Sequence, residues 1–213
     1  MTILPEPRFL LSRTKVLEQY ERMRSIADIV AYCFKTNPEV GKLLEKETTS
    51  MFTVNSLNTL KMIENKNRSR VWYFAQGWDR DEVRELVASG VRSFVVDNTN
   101  DLAQLLSYLD TRDTEGCNGY GHAGTQTVDL LLRMKLREHT IHTGKYFVYG
   151  FHSDEINELV QKLSHHERIG KLGIHFHRKT QNVGEWGLKD EISEVISEDT
   201  LASIAVSYTH LTL

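Results

Sequence analysis

Cysteine is nearly absent: Cys33 and Cys117 are the two in 213 residues, far apart and in unlike surroundings. That excludes a disulfide framework and fits a reducing compartment. No apolar run approaches the roughly 18 residues that would cross a membrane as a helix. The opening, Met1 to Arg8, carries two prolines and Glu6 and has no apolar core of a signal peptide, so the chain is expected in the cytoplasm. An excess of one charge is missing too. A net charge of −3 offers no basic surface to nucleic acid or to an acidic membrane. What remains is an ordinary globular composition, long enough for one large domain or two small ones.

Apolar residues then recur in two periods that alternate along the chain. Phe9-Leu10-Leu11 reads as a brief strand, and Ser12 as the cap of a helix over Arg13 to Ala27. Ile29 to Lys35 reads as a strand that stops at Asn37-Pro38, with Pro38 in the first turn of the next helix. Met51 to Val54, Arg70 to Phe74 and Ser93 to Val96 read as further strands. A short helix at Leu57, Leu60 and Ile63 follows the first of these. Asp79 to Ser89, capped by Asp79 and stopped by Gly90, follows the second, and Thr99 to Leu109 the third. Thr111 to Thr127 breaks the rhythm with four glycines and almost no aliphatic residue, and is expected to be a surface excursion. Val128 to Leu136 and Leu172 to His177 resume as strands, Asp154 to Leu163 as a helix capped by Ser153, and Glu185 to Glu198 as a loop and then a helix. Strands this apolar, alternating with helices, predict an α/β fold with a parallel sheet, doubly wound or closed into a barrel. About six βα units are present, against about eight in a closed barrel. The last eight residues, 206–213, are β-rich and resemble a translated sequencing adaptor. They are expected to be a non-native tail outside a domain spanning 1–205.

Three places at predicted strand ends carry candidate chemistry, since α/β folds gather function at the carboxyl ends of strands. Lys35 would share a strand face with Ala31 and Cys33. A lysine there either snorkels or pairs with a carboxylate, or is a desolvated amine of lowered pKa able to form a Schiff base with a carbonyl. Arg133 ends the run Leu130-Leu131-Leu132. It either pairs with a carboxylate at a rim or offers its rigid fork of donors to an anion or cofactor ring. His175-Phe176-His177 puts two imidazoles on one strand face. They could ligate a metal with help from Asp97, His142 or His152, be ordinary hydrogen-bonded histidines, or supply a flat partner for a planar cofactor. His165-His166 reads as a solvated surface pair.

Taken together these segments resemble the N-terminal barrel of the alanine-racemase-like (fold type III) pyridoxal-phosphate decarboxylases, which act on ornithine, diaminopimelate and arginine. Tyr32-Cys33-Phe34-Lys35-Thr36-Asn37-Pro38 is similar to the family's Tyr-Ala-Val-Lys-x-Asn signature. Phe52-Thr53-Val54-Asn55-Ser56 occupies the place of its Phe-Asp-x-Ala-Ser motif. Phe74 to Trp78, Glu82, Gly90-Val91 and Phe94 to Asp97 follow the next two units. Leu132-Arg133-Met134 resembles the Leu-Arg-Ile strand, and Gly173 to His177 the strand whose second histidine stacks on the pyridine ring. The likeness runs from about Phe9 to Glu185, closest to an archaeal-type branch.

The resemblance implies an incomplete (β/α)8 barrel, with a C-terminal β-domain and the phosphate-cradling glycines beyond Leu213. It implies pyridoxal 5'-phosphate held by Lys35 as a Schiff base, with His177 against its ring and Arg133 and Thr180 among its contacts. Lys35 and His177 would be the catalytic pair, without a metal. The implied reaction is decarboxylation of an amino acid of the ornithine, lysine, arginine or diaminopimelate class by a homodimer, the present chain alone being inactive. Two departures stand out: Thr53 replaces the family aspartate, and Arg178-Lys179-Thr180 stands where a small Gly-Ser turn is usual. Thr53 leaves room for a non-catalytic regulator of the same fold. His175 and His177 leave room for a metal-dependent barrel hydrolase.

Overall fold

The computed structural model describes residues 9–111, 127–135, 149–178, 188–204 and 206–211. The chain divides into two compact units, Met1–Val71 and Trp72–Leu213.

In the first unit, helix α1 (Arg13–Arg24) starts where the Ser12 side chain accepts Lys15 N–H. Strand β1 (Ala31–Cys33) pairs in parallel with β2 (Met51–Val54), Cys33 standing opposite Thr53. Between them runs α2 (Pro38–Glu47). Asn37 Oδ1 accepts the Glu39 and Val40 N–H groups at 3.1 and 3.4 Å, and Pro38 takes the first turn, where a missing N–H costs nothing. Phe34 and Phe52 are fully buried and meet edge to face at 5.7 Å. α2 reaches Phe34 only because Gly41 has no side chain: a Cβ there would lie 2.7 Å from the ring. A short helix α3 (Leu57–Leu60) and a 3-10 turn (Asn65–Arg70) complete the unit.

The second unit takes up the repeat. Strands β3 (Val71–Phe74), β4 (Ser93–Val96), β5 (Val128–Met134), β6 (Ile169–Arg178) and β7 (Val206–Leu211) alternate with α4 (Arg80–Ala88), α5 (Thr99–Thr111), α6 (Ser153–Leu163), α7 (Leu188–Val195) and α8 (Glu198–Ser203). From β3 to β7 each strand pairs with the next, always in parallel and always in chain order. A doubly wound sheet reverses its order at a switch point; an order that runs on is that of a barrel wall. One side of the wall is apolar. Phe94, Val96, Leu130, Leu132, Ile174 and Phe176 are buried there, as are Val83, Leu86 and Val87 of α4, Leu105 and Leu109 of α5, and Ile156 and Val160 of α6.

Several expectations change. Phe9-Leu10-Leu11 forms no strand and its side chains are exposed, because an apolar triplet becomes a strand only where a neighbour pairs with it. The strand ahead of Asn37 stops at Cys33, so Lys35 lies in a turn and not on a strand face. Phe34 N–H makes the last bond to β2, at Thr53 O, and Thr36 N–H then folds back to Cys33 O at 3.1 Å. The cap of α6 is His152 rather than Ser153, and Glu155 accepts the His152 N–H at 2.7 Å in return. Val206–Leu211, set apart from the fold on sequence, forms β7 against β6. The open edge of a sheet accepts a β-prone hexapeptide whatever its origin. Thr180, Gly119-Tyr120-Gly121 and His142 lie outside the described residues.

Tyr73 ties β3 to α4: its hydroxyl donates to Glu82 Oε1 at 2.6 Å. Burial, followed by that hydrogen bond, raises the phenol above its ordinary value. The unfolded chain therefore loses this proton near pH 10 while the folded chain keeps it, and stability falls as pH rises beyond that point. Urea titrations between pH 8 and 11 should show the decline, flattened in Tyr73→Phe.

Candidate active site

Strands β4, β5 and β6 run in one direction, and β5 and β6 reach two and four residues past the level at which β4 ends. Val96 registers with Leu132, and Arg133 with His175. Partners across a parallel ladder point to the same side and residues two apart share a face. Asp97, Arg133, His175 and His177 therefore come out on one side of the wall, at its carboxyl edge. Phe74, in register with Val95, stands on the same side. Its ring meets the buried His175 imidazole edge-on at 5.2 Å.

The centre of this group is Arg133. Its Nη1 lies 3.7 Å from Asp97 Oδ2, with the two side chains 17% and 23% exposed. The guanidinium also lies over the Tyr149 ring, 5.8 Å from its centroid. Burial pulls the Arg133 pKa below its ordinary value, while the Asp97 carboxylate and then Tyr149 work the other way. An arginine keeps its proton under such pressure. Arg133 Nε is buried with no acceptor among the described residues. The side chain thus holds a donor in reserve.

The chain after β5 is fastened to the same residue. Phe151 N–H donates to Arg133 O at 2.8 Å, and Lys135 N–H to Phe151 O at 2.9 Å. Gly150 makes this approach possible. It has φ +123°, and a Cβ would stand 2.5 Å from the Arg133 carbonyl oxygen.

Of the residues singled out from sequence, Arg133, His175 and His177 come together on this face, and Lys35 is an exposed turn residue of the first unit. The rim ion pair expected of Arg133 is there, with Asp97 as its carboxylate. Thr53 is buried in β2. His165 is exposed, whereas His166 reaches Asp110 at 3.2 Å. Among the described residues no three His, Cys, Asp or Glu side chains are grouped to hold a metal, and no helix is long and apolar enough to cross a membrane. Sequence reading gave no role to Asp97 beyond a metal ligand, and none to Tyr149 or Gly150. Only Asp97 carried a signal, as the residue that ends a strand.

Residues 13–211 match the family model of the pyridoxal-dependent decarboxylases, over the pyridoxal-binding domain. The chain belongs to this family. Solved structures show the same fold. A diaminopimelate decarboxylase variant from Helicobacter pylori, complexed with L-lysine, superposes with a TM-score of 0.70 at 14% identity, over 97% of this chain and 53% of its own. For lysine decarboxylase from Selenomonas ruminantium the values are 0.64, 20%, 90% and 47%. For lysine/ornithine decarboxylase from Vibrio vulnificus, complexed with cadaverine, they are 0.55, 19%, 81% and 40%. The chain thus spans about half the length of these proteins or less. No curated protein matches it.

The strand-end group fits the cofactor that this domain type binds. Pyridoxal phosphate is planar and anionic, and the wall offers a cation with a buried donor to spare beside two imidazoles and an aromatic ring.

Gly150→Ala should lower stability by more than ~1 kcal/mol, since a side chain is strained at this φ and the added methyl meets Arg133 O. Urea denaturation measures the loss, and an unchanged midpoint would contradict the account of this contact.

Proposed function

We propose that the domain serves a pyridoxal-phosphate-dependent decarboxylase of a basic or diamino acid, of the ornithine, lysine, arginine or diaminopimelate class. The observation that carries the reading is the partly buried Arg133, with its spare donor, at the strand ends of a pyridoxal-binding domain. The similar solved proteins are decarboxylases of such amino acids, which supports the substrate class.

The cofactor, when bound, supplies an electron sink into which the α-carbon's electrons pass as carbon dioxide leaves. The chain's own residues do the rest. Lys35 would hold the cofactor through its amine, a group that can condense with an aldehyde. Lys35 is exposed in its turn and not desolvated on a strand face as the sequence suggested, so its role as anchor rests on the family resemblance and not on burial. His177 supports the ring from one face and keeps it oriented. Arg133 offers positive charge in a site partly withdrawn from water, where it acts more strongly than at an open surface. Thr180 takes the place of the family's serine hydroxyl as a cofactor contact. The working protein is a homodimer in the cytoplasm, with no nucleic-acid or membrane partner.

Reduction of the chain with borohydride in the presence of pyridoxal phosphate, followed by peptide mapping, tests the anchor. The label should fall on Lys35 and vanish in Lys35→Ala; a label on another lysine overturns the assignment. Thr53, in place of the family aspartate, favours a second reading, a non-catalytic regulator of the same fold, and failure of Lys35 to take the label would support it.

The 213-residue chain spans about half of the similar solved proteins. By itself it should release no measurable carbon dioxide from ornithine, lysine, arginine or diaminopimelate. Turnover above the rate of free pyridoxal phosphate would contradict this.

A further inference from the structure

Behind the Asp97–Arg133 pair the polar atoms are connected. Asn98 follows Asp97 and precedes α5. Its amide nitrogen donates to Asp97 Oδ1 at 2.9 Å and to Asp101 Oδ2 at 2.8 Å, and its oxygen accepts the Asp101 N–H at 2.9 Å. Asp101 is fully buried. Its Oδ2 also accepts Gly77 N–H at 3.0 Å, and its carbonyl accepts the Trp78 indole N–H at 2.8 Å. The loop after β3 thus bonds to Asp101 in the first turn of α5, and the Asn98 amide joins Asp101 to the strand-end carboxylate.

The arrangement asks more of Asn98 than a helix cap does. Serine and aspartate cap a helix about as well as asparagine. Neither has an acceptor for the helix N–H together with two donors for two carboxylates. Asp97 and Asp101 would repel each other without a donor between them. On its other side Asp97 faces Arg133 at 3.7 Å, too far for a direct hydrogen bond. Asp97 holds the guanidinium by charge, and its bond to Asn98 sets where that charge sits.

We propose that Asn98 is a positioning residue: it fixes the Asp97 carboxylate so that Arg133 is held in one orientation at the strand ends. The loop at Gly77 and Trp78 is thereby coupled to the arginine. Only the identity of what Arg133 receives rests on the proposed function.

The test uses Asn98→Ser in the full chain. The serine hydroxyl can still cap α5 but cannot bridge both carboxylates. Hydrogen exchange at the Arg133 Nε–H is followed by NMR, assigned with Arg133→Lys, and pyridoxal phosphate affinity by quenching of tryptophan fluorescence. In Asn98→Ser the melting temperature should fall, because the buried Asp101 loses a donor, while Nε–H exchange should quicken about tenfold more than that of the buried β5 amides, as for one lost hydrogen bond to a charged group. In an Asp97→Asn background the same change should add nothing, because both act through one carboxylate. Asn98→Thr, which also caps through its hydroxyl and cannot bridge both carboxylates, gives the same readout should the serine variant not fold. Unchanged exchange, or effects that simply add in the double variant, overturns the proposal and leaves Asn98 a helix cap. Faster exchange with no change in pyridoxal phosphate affinity, or with no binding even by the parent chain, upholds the positioning role and counts against the proposed function instead.

Discussion

A guanidinium held largely out of water at the end of a strand sets the terms for everything near it. Removing one partner of a buried charge pair commonly costs about 3–5 kcal/mol, whereas an exposed pair contributes ~1 kcal/mol or less. Arg133 and Asp97, each about a fifth exposed, fall between these limits. A carboxylate must therefore stand at the end of the neighbouring strand, and the parallel register of β4 with β5 puts one there. The Tyr149 ring covers the guanidinium, and Gly150 lets that cover come close. Had β5 slipped by one residue, Arg133 would have pointed among the helices.

The two sides of the wall answer to different demands. On the helix side, Leu130, Leu132, Ile174 and Phe176 need only be apolar and of suitable volume, and cores accept many such combinations. On the other side, at the rim, position and charge matter to within a hydrogen bond. Fold agreement with TM-scores from 0.55 to 0.70 at 14–20% identity fits a framework held by the first, permissive requirement.

Much of that framework could be read from sequence. Met51–Val54 and Ser93–Val96 are strands with the expected bounds, because each is a short apolar run between turn residues. Ser12 and Asp79 cap the helices they were expected to cap, since the cap is a local contact. The misreadings concern what local pattern cannot carry. Lys35 looked like a strand residue by alternation, yet the Asn37-Pro38 cap forces the chain to turn before it. Phe9-Leu10-Leu11 looked like a strand by composition and has nothing to pair with. Arg133 was legible as a strand-ending cation, but naming Asp97 as its partner required the register. Gly150 gave no signal at all, because what demands a glycine there is the carbonyl of a residue 17 positions earlier.

The fastening of Phe151 to β5 has a consequence for how changes in the chain are felt at the rim. Phe151 N–H bonds to Arg133 O and Lys135 N–H to Phe151 O, so positions 135 and 151 are held together at one point of the wall. The entropic cost of bringing two such points together grows only slowly with the number of residues that separate them. The anchor therefore depends far less on that number than on its own members. A change at Gly150 or Phe151 is felt at the guanidinium at once.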